Sequence, residues 1–124
     1  MLVALCCVML CGCNSRNMKN ELPGEWFIYH WYYNEKDGDN GFFDDARFYT
    51  FGSDGTLTMK IGEETTGATY SFIGNDKVNV VYEDGTTDTF QLFPAERNGV
   101  KQIQFMNVDT IYTLTLEPMS SWSN

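Results

Sequence analysis

Residues 46 to 61, ARFYTFGSDGTLTMKI, decide the fold. Tyr49 and Phe51 alternate with other residues before a break at Ser53-Asp54-Gly55, and Leu57 and Met59 alternate with threonine and lysine after it. A period of two puts successive side chains on opposite faces of a half-buried strand. Asp-Gly supplies the positive-φ position that a tight hairpin turn requires. The stretch therefore reads as a β-hairpin, and its pattern extends in both directions. Comparable runs cover Glu25 to Tyr33, Ala46 to Phe51, Thr56 to Ile61, Ala68 to Ile73, Lys77 to Glu83, Thr86 to Phe93, Val100 to Asn107 and Thr110 to Glu117. Gly74-Asn75-Asp76, Asp84-Gly85 and Glu96 to Gly99 punctuate them, and no stretch carries a helical repeat. Strands linked in sequence by hairpins protect both edges by closing the first onto the last. The predicted fold is all-β, an eight-stranded antiparallel up-and-down barrel, with an open sandwich as the alternative.

Composition narrows the function. The 124 residues carry 17 Asp and Glu against 8 Lys and Arg, a net charge of −9 that repels phosphate backbones, so no nucleic-acid partner is expected. Nine Phe, seven Tyr and three Trp, all beyond position 13, provide the apolar area of a folded domain rather than a disordered chain. Cys6, Cys7, Cys11 and Cys13 are the only cysteines. The domain after them has no thiol for a disulfide, a nucleophile or a metal site.

Residues 1 to 13, MLVALCCVMLCGC, form an uncharged apolar run. It is shorter than the roughly 20 residues that cross a bilayer as a helix, and has the length of a signal-peptide core. Its end, Leu10-Cys11-Gly12-Cys13, resembles the bacterial lipobox. That resemblance implies cleavage after Gly12 and acylation of Cys13, hence attachment to a membrane through lipid chains that each contribute about 0.8 kcal/mol per buried methylene. Asn14 after the cysteine resembles the sequences of lipoproteins released to the outer membrane, with the leaflet left open. Residues 14 to 21 are expected to be a flexible tether, 22 to 117 the barrel domain and 118 to 124 a C-terminal tail.

Leu22-Pro23-Gly24-Glu25-Trp26 resembles the G-x-W opening of the lipocalin first strand. Phe51-Gly52-Ser53-Asp54-Gly55-Thr56 is similar to the F-x-x-D-G-T hairpin of bacterial lipocalin-like lipoproteins. The resemblance implies a barrel whose closed end is plugged by Trp26 and whose interior takes a small hydrophobic ligand. Two family features are missing: the arginine on the last strand and the helix after the barrel.

Taking Trp26 as inward, strict alternation without a bulge also turns Ile28, His30 and Tyr32 inward. With Tyr49, Tyr70, Tyr82, Phe105 and Tyr112 they would line an apolar pocket bearing a few hydroxyls; the competing reading is that the same side chains simply fill the core. His30 is the sole histidine, and no G-x-S-x-G accompanies it, so the chain is read as non-enzymatic. Residues 34 to 45, NEKDGDNGFFDD, make the one long connection. Its carboxylates depart from the EF-hand register, with Gly41 at a ligand position, and neither a metal nor another cofactor is expected. Phe42 and Phe43 within it suit a lid over the barrel mouth or a contact with an envelope protein partner. Two functions follow: a membrane-anchored binder of a small hydrophobic ligand, or an interaction module that displays loops on a filled barrel.

Overall fold

The computed structural model describes residues 16–33 and 40–122. Its strands are β1 (Gly24–Tyr33), β2 (Asn40–Gly41), β3 (Arg47–Phe51), β4 (Thr56–Ile61), β5 (Glu64–Ile73), β6 (Lys77–Tyr82), β7 (Thr87–Arg97), β8 (Val100–Asn107) and β9 (Tyr112–Pro118). Each of β3 to β9 pairs antiparallel with its sequence neighbour, β1 pairs with β3, and β1 also pairs with β9. The eight long strands thus close into a barrel, and the sandwich alternative falls away. The two-residue β2 lies outside the ring, beside Trp31 and Tyr32 of β1.

Two strands outrun their hydrophobic pattern. β5 begins at Glu64, because the two-residue turn at Gly62-Glu63 lets polar residues 64 to 67 zip onto β4 without an apolar face. β7 continues through Pro94 to Arg97. Beyond Gln91 it has no partner on β6 and pairs with β8 alone, so a residue without an N–H is tolerated there. Asn98 and Gly99, at φ 51° and 83°, then turn the chain in two residues. The hairpins at Asp54 and Asp84 share one device, in which the aspartate accepts from the backbone N–H and the hydroxyl of the threonine two residues on.

The main departure from strict alternation is in β1. Ile28 pairs with Leu116 and His30 with Thr115, so Tyr29 is an extra residue with no opposite number on β9. Such a bulge reverses the facing of everything beyond it. Trp26 and Ile28 lie in the core before the bulge, and Trp31 packs against the core after it. The expectation that His30 and Tyr32 face inward is therefore corrected: Tyr32 is 39% exposed, and His30 meets Asn40 and Phe42 on the outside.

One end of the barrel is filled. Met18 and Leu22, four apart on the turn of helix α1 (Met18–Glu21), are both buried beneath Trp26. The Trp26 indole N–H donates to the Leu22 carbonyl at 2.8 Å. Asn17 caps the turn, while Arg16 pairs with Glu21 at 2.7 Å and donates to the Ala95 carbonyl at 2.9 Å. The expected tether, 14 to 21, is thus docked over its described part; a single helical turn is too short to show a periodicity in sequence. The tail is docked as well: Met119–Ser121 form a 3-10 turn, and Trp122 sets its ring edge-on to Phe27 and Phe48.

Glu117 is fully buried on the outer side of β9, held by Arg97 through two hydrogen bonds, by Gln102 at 2.7 Å and by Ser121. Burial pushes its carboxyl up, but the hydrogen bonds from Arg97 and Gln102, the Arg97 charge and Ser121 together hold it below the ordinary value of 4.5. A depressed folded-state value means that its contribution is complete above the unfolded value of 4.5 and is lost as pH falls through the folded one. Urea titrations between neutral and acid pH should show this loss, and Glu117→Gln should flatten it. Trp26→Phe, which leaves the Leu22 carbonyl without its donor, should cost about 1–3 kcal/mol, measured as a lower urea midpoint at unchanged m-value.

Candidate functional site

The other half of the barrel is hollow. A cavity of about 180 Å³ occupies the end where the connections β1–β3, β4–β5, β6–β7 and β8–β9 lie, opposite α1. Its floor is Phe51, Leu57, Phe90 and Phe105, contributed by inward positions of four different strands. Phe105 packs at 5.7 Å from Phe51 and 5.5 Å from Phe90, which seals the cavity from the filled end. Met59, Val80 and Leu114 form the walls.

The rim is polar. Arg47, Tyr49, Tyr82, Asp88, Asn107 and Tyr112 all reach the cavity. Asp88 accepts from the Tyr82 hydroxyl at 2.8 Å and from the Asn107 amide at 3.0 Å, so each of its oxygens has a donor. The carbonyl oxygen of the Asn107 side chain accepts from the backbone N–H groups of Asp109 and Thr110, which fixes which way the amide points. Burial pushes the Tyr82 hydroxyl well above the ordinary phenol range, and the hydrogen bond to Asp88 adds to that. Burial also raises Tyr49 and Tyr112, against the opposing charge of Arg47. All three phenols stay protonated at neutral pH, and each offers a hydroxyl rather than a phenolate.

Arg47 differs from its neighbours. Its guanidinium lies over the Phe43 ring, 3.9 Å from the centroid. Its Nε is buried and has no hydrogen-bond partner. Neither ion pair among the described residues involves it.

Of the residues singled out in the sequence, Tyr49, Tyr82, Phe105 and Tyr112 meet in this cavity. Trp26 and Tyr70 belong to the filled half, where the Tyr70 hydroxyl donates to the Gly52 carbonyl at 2.6 Å. His30 and Tyr32 are outside, as the bulge dictates. Phe42 and Phe43 part company: Phe43 lines the cavity mouth, whereas Phe42 is 64% exposed and packs on Tyr29 and His30 on the outer wall. Cys13 and residues 34 to 39 lie outside the described residues.

Sequence reading missed Arg47 and Asp88. Both were within reach of it, since stepping back two residues from Tyr49 gives Arg47 and from Phe90 gives Asp88. Attention to apolar positions alone passed over them. Together the rim and floor can hold one ring-sized molecule on aromatic surface and present it with hydroxyls and a free cationic donor. No family model, curated protein or solved structure matches this chain.

Proposed function

We propose that the chain is a lipid-anchored, lipocalin-like binding protein that admits one small, ring-sized hydrophobic ligand to the hollow half of its barrel. The observation that carries this reading is the cavity itself, closed by aromatic side chains below and open at a polar rim above. A volume of about 180 Å³ lies below the roughly 300 Å³ at which drug-sized pockets begin. It is comparable to the roughly 150 Å³ cavity that accommodates benzene in an engineered protein core. The ligand is accordingly a single ring or a short branched chain, not a fatty acid or a tetrapyrrole, and the role is capture rather than catalysis.

Anchoring fits the same geometry. Arg16 to Leu22 are docked at the filled end, so acylation at Cys13 would set that end toward an outer membrane and turn the cavity mouth away from it. Only two residues separate Cys13 from Arg16, which leaves little slack for tumbling. Mass spectrometry of the mature protein should find an acylated N-terminal Cys13; an intact chain that keeps Met1 and carries no lipid would remove the anchor from the proposal.

Binding is checked by calorimetric titration with benzyl alcohol, a neutral single-ring probe. Wild type should bind it, and Met59→Trp, which fills the cavity, should not. His30→Ala and Tyr32→Ala should bind as wild type does, because both side chains lie outside the barrel. Unchanged affinity in Met59→Trp would place the probe elsewhere and defeat the reading.

A further inference from the structure

We infer that the cavity selects a ring-sized ligand carrying a carboxylate, and that Arg47 is the residue that meets it. The inference rests on the binding reading above and specifies its ligand.

The reasoning starts from what the rim leaves unsatisfied. A buried donor without an acceptor costs about 1–3 kcal/mol, and more when the donor is charged, so native structures keep few of them. Here the unmet donor is the buried Nε of Arg47, whose side chain lines the cavity rim. The guanidinium carbon of Arg47 sits 3.9 Å from the Phe43 ring centroid, and no described residue accepts from the side-chain N–H groups, which are open to a partner. A carboxylate accepts from such an edge in two parallel hydrogen bonds, whereas an alcohol or a ketone can use only one.

The other polar groups of the rim support that assignment. Asp88 is the charge that would oppose an anion, but both its oxygens already accept, from Tyr82 and Asn107. It asks for no cation, and its bonds to neutral donors hold it on the β6–β7–β8 side of the rim. Tyr49 and Tyr112, which feel the Arg47 charge most directly, are protonated phenols and can donate to a carboxylate oxygen. The floor of Phe51, Phe90 and Phe105 then receives the ring. A net charge of −9 does not attract anions from a distance, so selectivity depends on the contact with Arg47 rather than on steering.

Three probes of one shape and different charge decide the matter: benzoate, benzyl alcohol and benzylamine, titrated calorimetrically into the full mature chain at fixed ionic strength. Benzoate should bind about tenfold or more tightly than benzyl alcohol, the factor expected of a hydrogen-bonded charge. Arg47→Gln should remove that preference, bringing benzoate and benzyl alcohol to similar affinity, and Arg47→Lys should restore part of it. Unfolding midpoints of both variants should not fall much below wild type, since each removes the unmet Nε donor and Arg47 makes no side-chain hydrogen bond to another described residue. Should Arg47→Gln fail to fold, competition of benzoate against benzyl alcohol in Arg47→Lys and wild type still measures the preference. Equal affinities for benzoate and benzyl alcohol would overturn the carboxylate inference and leave the cavity reading intact. A preference for benzylamine would overturn it in favour of Asp88 as the anchor. Failure of all three probes to bind would defeat the cavity reading and this inference with it.

Discussion

The pairing of β1 with β9 is the constraint on which the molecule depends. It closes the barrel, and it does so with one residue too many on β1. With Tyr29 bulged out, Trp26 and Ile28 lie in the core and Trp31 packs against it, stacked on Tyr112, while His30 and Tyr32 lie on the outside. Without the bulge the same strand would place an imidazole and a phenol inside and expose an indole. The bulge therefore packs an indole, rather than an imidazole and a phenol, against the core on this side. It also frees Tyr29 to lie beneath the Arg97 guanidinium, 4.1 Å from its ring centroid, on the outer face where Arg97 holds Glu117.

The two ends are built on different principles. At the filled end apolar side chains interdigitate: Met18 and Leu22 come up from below, Trp26 lies across, and Val78, Leu92, Ile103 and Leu116 surround them with almost no exposure. The single polar atom of Trp26 is answered by a backbone carbonyl. At the hollow end the inward positions carry a guanidinium, a carboxylate, an amide and three phenols. Such groups cannot pack against one another as hydrocarbons do, because each demands a partner or water. An enclosed apolar void of about 180 Å³ would cost about 4 kcal/mol at roughly 24 cal/mol per Å³. An open mouth with a polar rim avoids that cost by admitting water or a ligand.

Much of this was legible in the residues. The alternation of Ala46 to Ile61, the Asp-Gly turns and the even spacing of runs lead to eight strands, whereas the plugged end is only implied by the resemblance of Gly24-Glu25-Trp26 to the lipocalin opening. Tyr49, Tyr82, Phe105 and Tyr112 follow from parity alone. The bulge does not, because alternating aromatic residues on both faces of β1, from Trp26 to Tyr33, give no signal of where one extra residue is inserted. Nor does the docking of Met18 and Leu22, which depends on a barrel end that forms only when distant strands meet. The division between filled and hollow halves is likewise a property of summed volumes. It cannot be read from any one strand.

The rim owes its geometry to the turns beside it. Asn107 ends β8, and its side chain does two things at once: the carbonyl oxygen accepts from Asp109 and Thr110 in the turn, and the amide reaches Asp88 on the neighbouring strand. Ile111 completes that turn at φ 60°, a left-handed conformation that a β-branched residue adopts only when its surroundings impose it. Its N–H donates to the Asn107 carbonyl at 2.7 Å, and the next residue, Tyr112, lines the cavity and stacks with Trp31. The turn that links β8 to β9 thus sets the positions of both Asp88 and Tyr112, one on each flank of the mouth. Arg47 has no such tie to the described residues, among which its guanidinium lies over the Phe43 ring. The rim combines a carboxylate held by two hydrogen-bond donors with a cation that lies over an aromatic ring, and the cation is the group whose geometry a ligand can complete.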